Sequence, residues 1–181
     1  MEITFWSRSG GSQAPVRNDV TWRPATAEDA SDYARDIGTD SPTTFTARLR
    51  SGQACYLVVE GPRLLHATWA SSEPVWMAET RRFVAPPRDD VYLFESFTRS
   101  EARGRGLFSF AVESISAASP GRKVWIAALD TNVASVRAIQ RAGFAPAFRV
   151  RALRRLGFLR LGLPAEATAF FGGSAEGTGG P

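Results

Sequence analysis

The sequence predicts one α/β domain built on a mixed, mostly antiparallel sheet flanked by helices, and three observations carry that prediction. Residues 91–129 read as strand, glycine-rich turn, amphipathic helix and buried strand, which is a right-handed crossover joining two parallel strands. Residues 54–60 and 63–70 are apolar and β-branched runs joined by Gly61-Pro62, a hairpin. Residues 26–52 hold two short helices with stop and start signals between them.

Taken in order, residues 1–19 are polar and carry glycine and serine without periodicity, so they are expected to form a leader, flexible or partly docked. Residues 20–23 read as a strand closed by Pro24. Thr26 then caps a helix with Glu28 and Asp29 in its first turn and Tyr33 and Ile37 on one face, and Gly38 ends it. Ser41-Pro42 starts a second helix, stopped by Gly52. Residues 73–87 break into short apolar pieces and are expected to be irregular, with at most a short strand. After a loop at 86–90, an apolar strand occupies 91–98 and runs into Arg103-Gly104-Arg105-Gly106. The following helix places Leu107, Ala111, Ile115 and Ala118 on one stripe and stops at Ser119-Pro120-Gly121. VWIAAL at 124–129 is a strand covered on both faces, Asn132 caps the next helix, and Gly143 closes it. Residues 147–153 and 156–161 form a last hairpin turned at Arg154-Arg155, and the domain is expected to span 20–165, with 166–181 a flexible tail.

Composition narrows the class. The 181 residues are 44% hydrophobic, enough for a full core. One cysteine excludes a disulfide framework and points to a reducing, cytoplasmic setting, and no run reads as a secretory signal or a membrane span, so no membrane partner is expected. The net charge of +4 is modest, and its denser patch at Arg149, Arg151, Arg154, Arg155 and Arg160 reads as a solvated face rather than a nucleic-acid footprint. A homodimer is compatible with the composition.

The stretch 91–110, VYLFESFTRSEARGRGLFSF, carries the chemistry. A strand that ends in glycines opening a helix directs free backbone N–H groups and the positive end of the helix dipole at one spot, an anion cradle. A dinucleotide fingerprint would need glycine where Ser109 stands, and a Walker loop would need Gly-Lys-Ser/Thr, which is absent.

The same residues resemble motif A of the GCN5-related N-acetyltransferases, the GNAT superfamily: Thr98, Glu101, Arg103, Gly104 and Gly106 fall on its pattern. The opening VTWRPATAEDASDY is similar to the family's usual start, and TNVASVRAIQRAGF is similar to its later Asn-Ser-Gly-Phe motif, so the resemblance covers roughly 20–161. It implies a GNAT fold whose parallel strands splay apart, leaving the backbone of Phe97, Thr98 and Arg99 to take the arm of acetyl-CoA or another acyl-CoA as a substitute strand. It further implies phosphate contacts from Arg103, Gly104, Arg105, Gly106 and Leu107, and cofactor contacts from Asn132 and Ser135. The activity implied is N-acyl transfer to a primary amine of a small molecule or peptide, by direct attack in a ternary complex. Base candidates are Glu95 on the focal strand, His66, the only histidine, and Glu79 in the irregular segment. If strict alternation holds, Phe97 and Glu95 share one face of the strand and Thr98 takes the other. Trp69, Trp76, Phe83, Tyr92 and Phe94 are candidates for an apolar acceptor pocket, whereas Cys55 reads as a buried small residue. No metal ligands are expected. Two departures stand out: Glu101 brings a negative charge to the phosphate loop, and Ile139 replaces the Tyr that reprotonates the thiolate in many relatives. Water, Ser135 or Tyr92 would then supply the proton, or the chain is a weak or inactive acyl-CoA-binding relative with a regulatory role.

Overall fold

A computed structural model of the chain describes residues 1–11, 13–87, 89–155 and 158–171. Its core is an eight-stranded sheet in the order β10-β9-β1-β8-β7-β4-β3-β2. In chain order these are β1 (Glu2–Ser9), β2 (Thr21–Pro24), β3 (Ala54–Glu60) and β4 (Arg63–Ser71), then β7 (Val91–Thr98), β8 (Lys123–Leu129), β9 (Ala145–Arg155) and β10 (Phe158–Gly162). A separate two-stranded ribbon, β5 (Val75–Met77) and β6 (Arg82–Val84), lies over one end. The helices are α1 (Ala30–Asp36), α2 (Pro42–Arg50), α3 (Leu107–Ala117), α4 (Val133–Arg141) and the short α5 (Thr168–Phe171). Every neighbouring pair in the large sheet is antiparallel except β7 and β8. None of the described helices is long and apolar enough to cross a membrane.

The local signals act as expected. Thr26 and Asp29 form a capping box ahead of α1, Ser41 Oγ accepts from the Thr44 N–H at the start of α2, and Asn132 Oδ1 accepts from the Ser135 N–H at the start of α4. Helices α3 and α4 cover one face of the sheet, burying Val112, Ile115 and Ile139 against Val91, Leu93, Val124 and Ile126. On the opposite face α1 and α2 bury Tyr33 and Phe45 against Leu57, Ala67 and Trp69.

Four expectations need correction. Residues 1–19 are not simply a leader: β1 lies inside the sheet between β8 and β9, with Ile3, Phe5 and Trp6 buried. The segment expected to be irregular holds β5 and β6, whose Val75 and Val84 pack beside Phe5 and Tyr92. Residues 166–171 are not a free tail, because Ala167, Phe170 and Phe171 complete the same cluster around Phe5 and Phe148. The last hairpin is present, but β9 runs on through Arg155, so Arg154 and Arg155 belong to the strand and not to its turn. Residues 156–157 and the remaining tail, 172–181, lie outside the described residues.

Candidate active site

Strands β7 and β8 pair for only three residues, Val91 with Val124, Tyr92 with Trp125 and Leu93 with Ile126, although both strands continue. The cause lies on the other edge of β7. Against β4, Ala67 faces Phe97 and Trp69 faces Phe94, so Thr68 alone opposes both Glu95 and Ser96. That is a β-bulge, and Glu95 sits in it at a φ of 46°. A bulge bends its strand and increases its twist, and it begins where the pairing with β8 stops. The resulting gap encloses a cavity of about 760 Å³ lined by Phe94 to Thr98 on one side and Ile126 to Leu129, Asn132, Ser135 and Ile139 on the other.

The bulge sets Phe94 and Glu95 on the same face, beside Arg48, and from Glu95 onward strict alternation holds as expected. Ser96 and Thr98 turn towards the face under α3, where their hydroxyls meet Thr68 and His66, while Glu95 turns the other way, to Arg48 of α2. All of them line the cavity except Thr68, His66 and Arg48, which sit behind it. The Arg99 N–H donates to Leu65 O, so the ladder turns the backbone N–H of Thr98, one residue back, towards the gap. Of the three backbone positions expected to be free, Arg99 is thus occupied by β4, and Phe97, paired with Ala67, contributes its side chain.

Beyond Thr98 the cavity continues into a second hollow lined by Arg103, Gly104, Arg105, Gly106 and Leu107 from the loop and α3, and by Arg137 and Arg141 from α4. Gly104 and Gly106 hold φ values of +80° and +72°, which exclude most side chains on backbone grounds although the space beside them is open. The first internal bond of α3 runs from the Phe110 N–H to Gly106 O, so the N–H groups of Leu107, Phe108 and Ser109 are the helix's own orphan donors. Arg103 behaves differently from expectation at its backbone, where its N–H is used by Ser100 O, but its guanidinium makes only a long contact to Thr98 O at 3.4 Å. Arg105 is not available as expected: its guanidinium bonds Glu60 at 2.7 Å and Asp19 at 3.2 Å. Arg99 is likewise held by Asp36 at 2.9 Å and Glu101 at 2.6 Å. Glu101 therefore spends its charge on Arg99 rather than opposing an anion in the loop.

The three base candidates separate clearly. His66 is fully buried, with Nδ1 2.7 Å from Thr98 Oγ1 and Nε2 2.8 Å from Thr68 Oγ1, and burial pushes its pKa down to about 3. It is neutral at working pH and does not line the cavity, so it is corrected from base to structural anchor of β7. Glu95 and Glu79 both line the cavity, Glu95 from the bulge and Glu79 from the turn between β5 and β6. Of the proposed aromatic wall, Tyr92, Phe94 and Trp76 line a connected cavity, Phe83 stacks edge-on against Trp76 at 5.3 Å, and Trp69 is instead core beneath α1 and α2. Cys55 is buried, and burial raises its thiol well above the ordinary range.

Solved structures with this architecture include a protein of the GNAT family from Novosphingobium aromaticivorans, at 15% identity and a TM-score of 0.59 over 82% of this chain and 60% of that one. An acetyltransferase from the GNAT family of Colwellia psychrerythraea matches at 16% identity, with a TM-score of 0.55 over 82% and 53%. A GCN5-related N-acetyltransferase from Sphaerobacter thermophilus matches at 15%, with a TM-score of 0.54 over 82% and 49%. The chain has the GNAT fold. It spans about half to three-fifths of the length of these three structures. No family model matches the sequence, and no curated protein does.

Within this GNAT fold, four side chains of the site escape a reading of the motifs. Arg48 Nη1 bonds both Asp40 at 2.7 Å and Glu95 at 2.6 Å while its guanidinium lies 3.8 Å from the Trp69 ring centroid, so it fixes the carboxylate of the bulge. Nothing in the sequence links α2 to β7. Ser96 falls on none of the motif positions. Arg137 and Arg141, by contrast, are one helical turn apart, and their spacing opposite Ile139 was a usable signal. Ile139 itself is buried at the wall of the gap, where it offers no proton.

Proposed function

We propose that the chain is an acyl-CoA-dependent N-acyltransferase of the GNAT superfamily, acting with acetyl-CoA or a close relative on a primary amine. The observation that carries the reading is the parting of β7 and β8 after three residue pairs, directly upstream of a glycine loop that opens a helix. The residues fit a long anionic thioester cofactor. The Thr98 N–H would pair with an amide of the arm, and the N–H groups of Leu107 to Ser109 and the Arg103 guanidinium would hold the phosphates. The cofactor supplies one thing, an acyl group activated as a thioester.

The chain's own part is to hold and deprotonate. An amine attacks only with its lone pair free, so a base must take one proton from the incoming ammonium. Glu95 stands at the point where β7 leaves β8, held in place by Arg48, and receives that proton directly or through water. Phe94, Phe97 and Ile126 give the reacting centre apolar walls. Thr98 and Ser96, backed by the hydrogen bonds to His66 and Thr68, keep β7 in its bent course.

The test is incubation with acetyl-CoA and a panel of primary amines, read by mass spectrometry. A gain of one acetyl group on an amine is expected, and loss of that gain in Glu95→Gln with coenzyme A binding retained would assign the base. A second reading, a coenzyme-binding relative without turnover, is favoured by Ile139. Tight binding of coenzyme A by calorimetry, with no amine in the panel modified, would select it.

A further inference from the structure

Resting on the transferase reading, and deepening it, we infer that the acceptor is a small primary amine carrying an apolar, preferably aromatic, body, received by a cavity between β7 and the β5–β6 ribbon. This cavity measures about 430 Å³ and shares Glu79, Phe94 and Glu95 with the strand gap, so it opens onto the point where the cofactor's acyl end would lie. Its volume suits a single small molecule rather than a folded partner.

Three features define what fits. The walls are apolar: Ile3, Val75, Met77 and Leu129 surround the parallel rings of Tyr92 and Phe94, whose centroids lie 6.1 Å apart at 10°. At the rim Trp76 and Phe83 are each more than half exposed although they are the largest side chains of the ribbon, and Trp76 faces into the cavity. Exposed aromatic surface beside an apolar cavity is what an apolar ligand body covers.

The charge is one-signed. The lining holds two carboxylates, Glu79 and Glu95, and no lysine or arginine. Behind Glu95, Arg48 is matched by Asp40, so the group as a whole sets three carboxylates against one guanidinium. A ligand carboxylate would be repelled here, and a cation would be drawn in.

The third feature is an unspent hydrogen bond. Tyr92 is only 3% exposed, lines the cavity, and its hydroxyl makes no hydrogen bond among the described residues. That hydroxyl stands at the cavity wall with its oxygen free to accept from a ligand. An alkylammonium carries three N–H donors, and the cavity offers three acceptor groups in Glu79, Glu95 and the Tyr92 oxygen. Long polyamines and basic peptides leave the apolar walls uncovered.

Binding is measured by calorimetry with phenethylamine, spermidine and hydrocinnamate, on the protein alone and with excess coenzyme A, near neutral pH. Phenethylamine is expected to bind at least about tenfold more tightly than either of the others. Glu79→Gln, in an exposed turn where folding is not at risk, should weaken it about tenfold, and Tyr92→Phe about threefold. Equal binding of hydrocinnamate, no binding of phenethylamine in either condition, or indifference to Glu79→Gln overturns the inference. The two readings fail separately. Phenethylamine bound but never acetylated removes the transferase and leaves the cavity's preference, whereas acetylation of a different amine class without phenethylamine binding removes the preference alone.

Discussion

The two ends of the strand pair β7–β8 are built on opposite terms. At the start of β7, Val91, Tyr92 and Leu93 are buried and laddered to β8, and Asp90 seals the join by accepting from the Lys123 N–H at 2.9 Å and from Trp125 Nε1 at 2.8 Å. Arg122 adds bonds to Ser72 Oγ and to the carbonyls of Asp89 and Asp90. From Phe94 onward the ladder to β8 ends, the strand bulges, and its side chains alternate between partial burial and exposure. The first half stabilises the fold. The second half withholds cross-strand bonds, and the difference shows that the gap opens from a firmly closed join.

Substitutions sharpen or break that contrast. The largest effect is expected from His66, which supports the open half from behind. Its folded pKa of about 3 lies below the ordinary 6.5, so between those values the unfolded chain binds a proton that the folded chain refuses. Stability is therefore fully present above 6.5 and declines as pH falls towards 3, by on the order of 5 kcal/mol over the window. Denaturant titrations at several pH values check this, and His66→Gln should flatten the extra acid sensitivity.

Leu93→Ala, in the closed half, should cost about 3 kcal/mol of stability. Phe97→Ala, in the open half, should cost under about 1 kcal/mol while weakening coenzyme A binding. If the two variants unfold at the same denaturant concentration, the contrast between the halves fails. Asp90→Ala removes two charge-assisted bonds at the closed end and should cost about 2 kcal/mol. Gly106→Ala should cost only about 1 kcal/mol, from its positive φ, yet lower coenzyme A affinity more than the stability loss explains. Calorimetric titration of that variant separates the two contributions.

Where local chemistry decides, the sequence was legible. Gly61-Pro62 and the paired apolar runs place β3 and β4 almost to the residue, β7 begins and ends where its apolar run does, and the capping serines, threonines and asparagine mark their helices. The turn that opens α3 follows from its glycines. What escaped depends on partners far along the chain. β1 has only a short apolar core in EITFWSRS, and because Ile3 and Phe5 pack on one face and Trp6 on the other, it is buried on both faces and shows no solvent-facing polar side to announce a strand. Phe170 and Phe171 look like the start of a Gly-rich tail until Phe5 and Phe148 are placed beneath them. The bulge at Glu95 is invisible in VYLFESFT, since no glycine marks it, and with it went the common face of Phe94 and Glu95 beside Arg48.

The position of β1 sets the order of events during synthesis. Its register joins Ile3 to Leu129 on one side and to Val150 on the other, so β1, which precedes both partners in the chain, finds its neighbours only after β8 and β9 have been translated. Until then the edges of β8 and β9 that it will join stay bare. Closure of so long a loop is a slow, entropy-limited step, and it leaves the nascent chain most vulnerable to aggregation until β1 has docked.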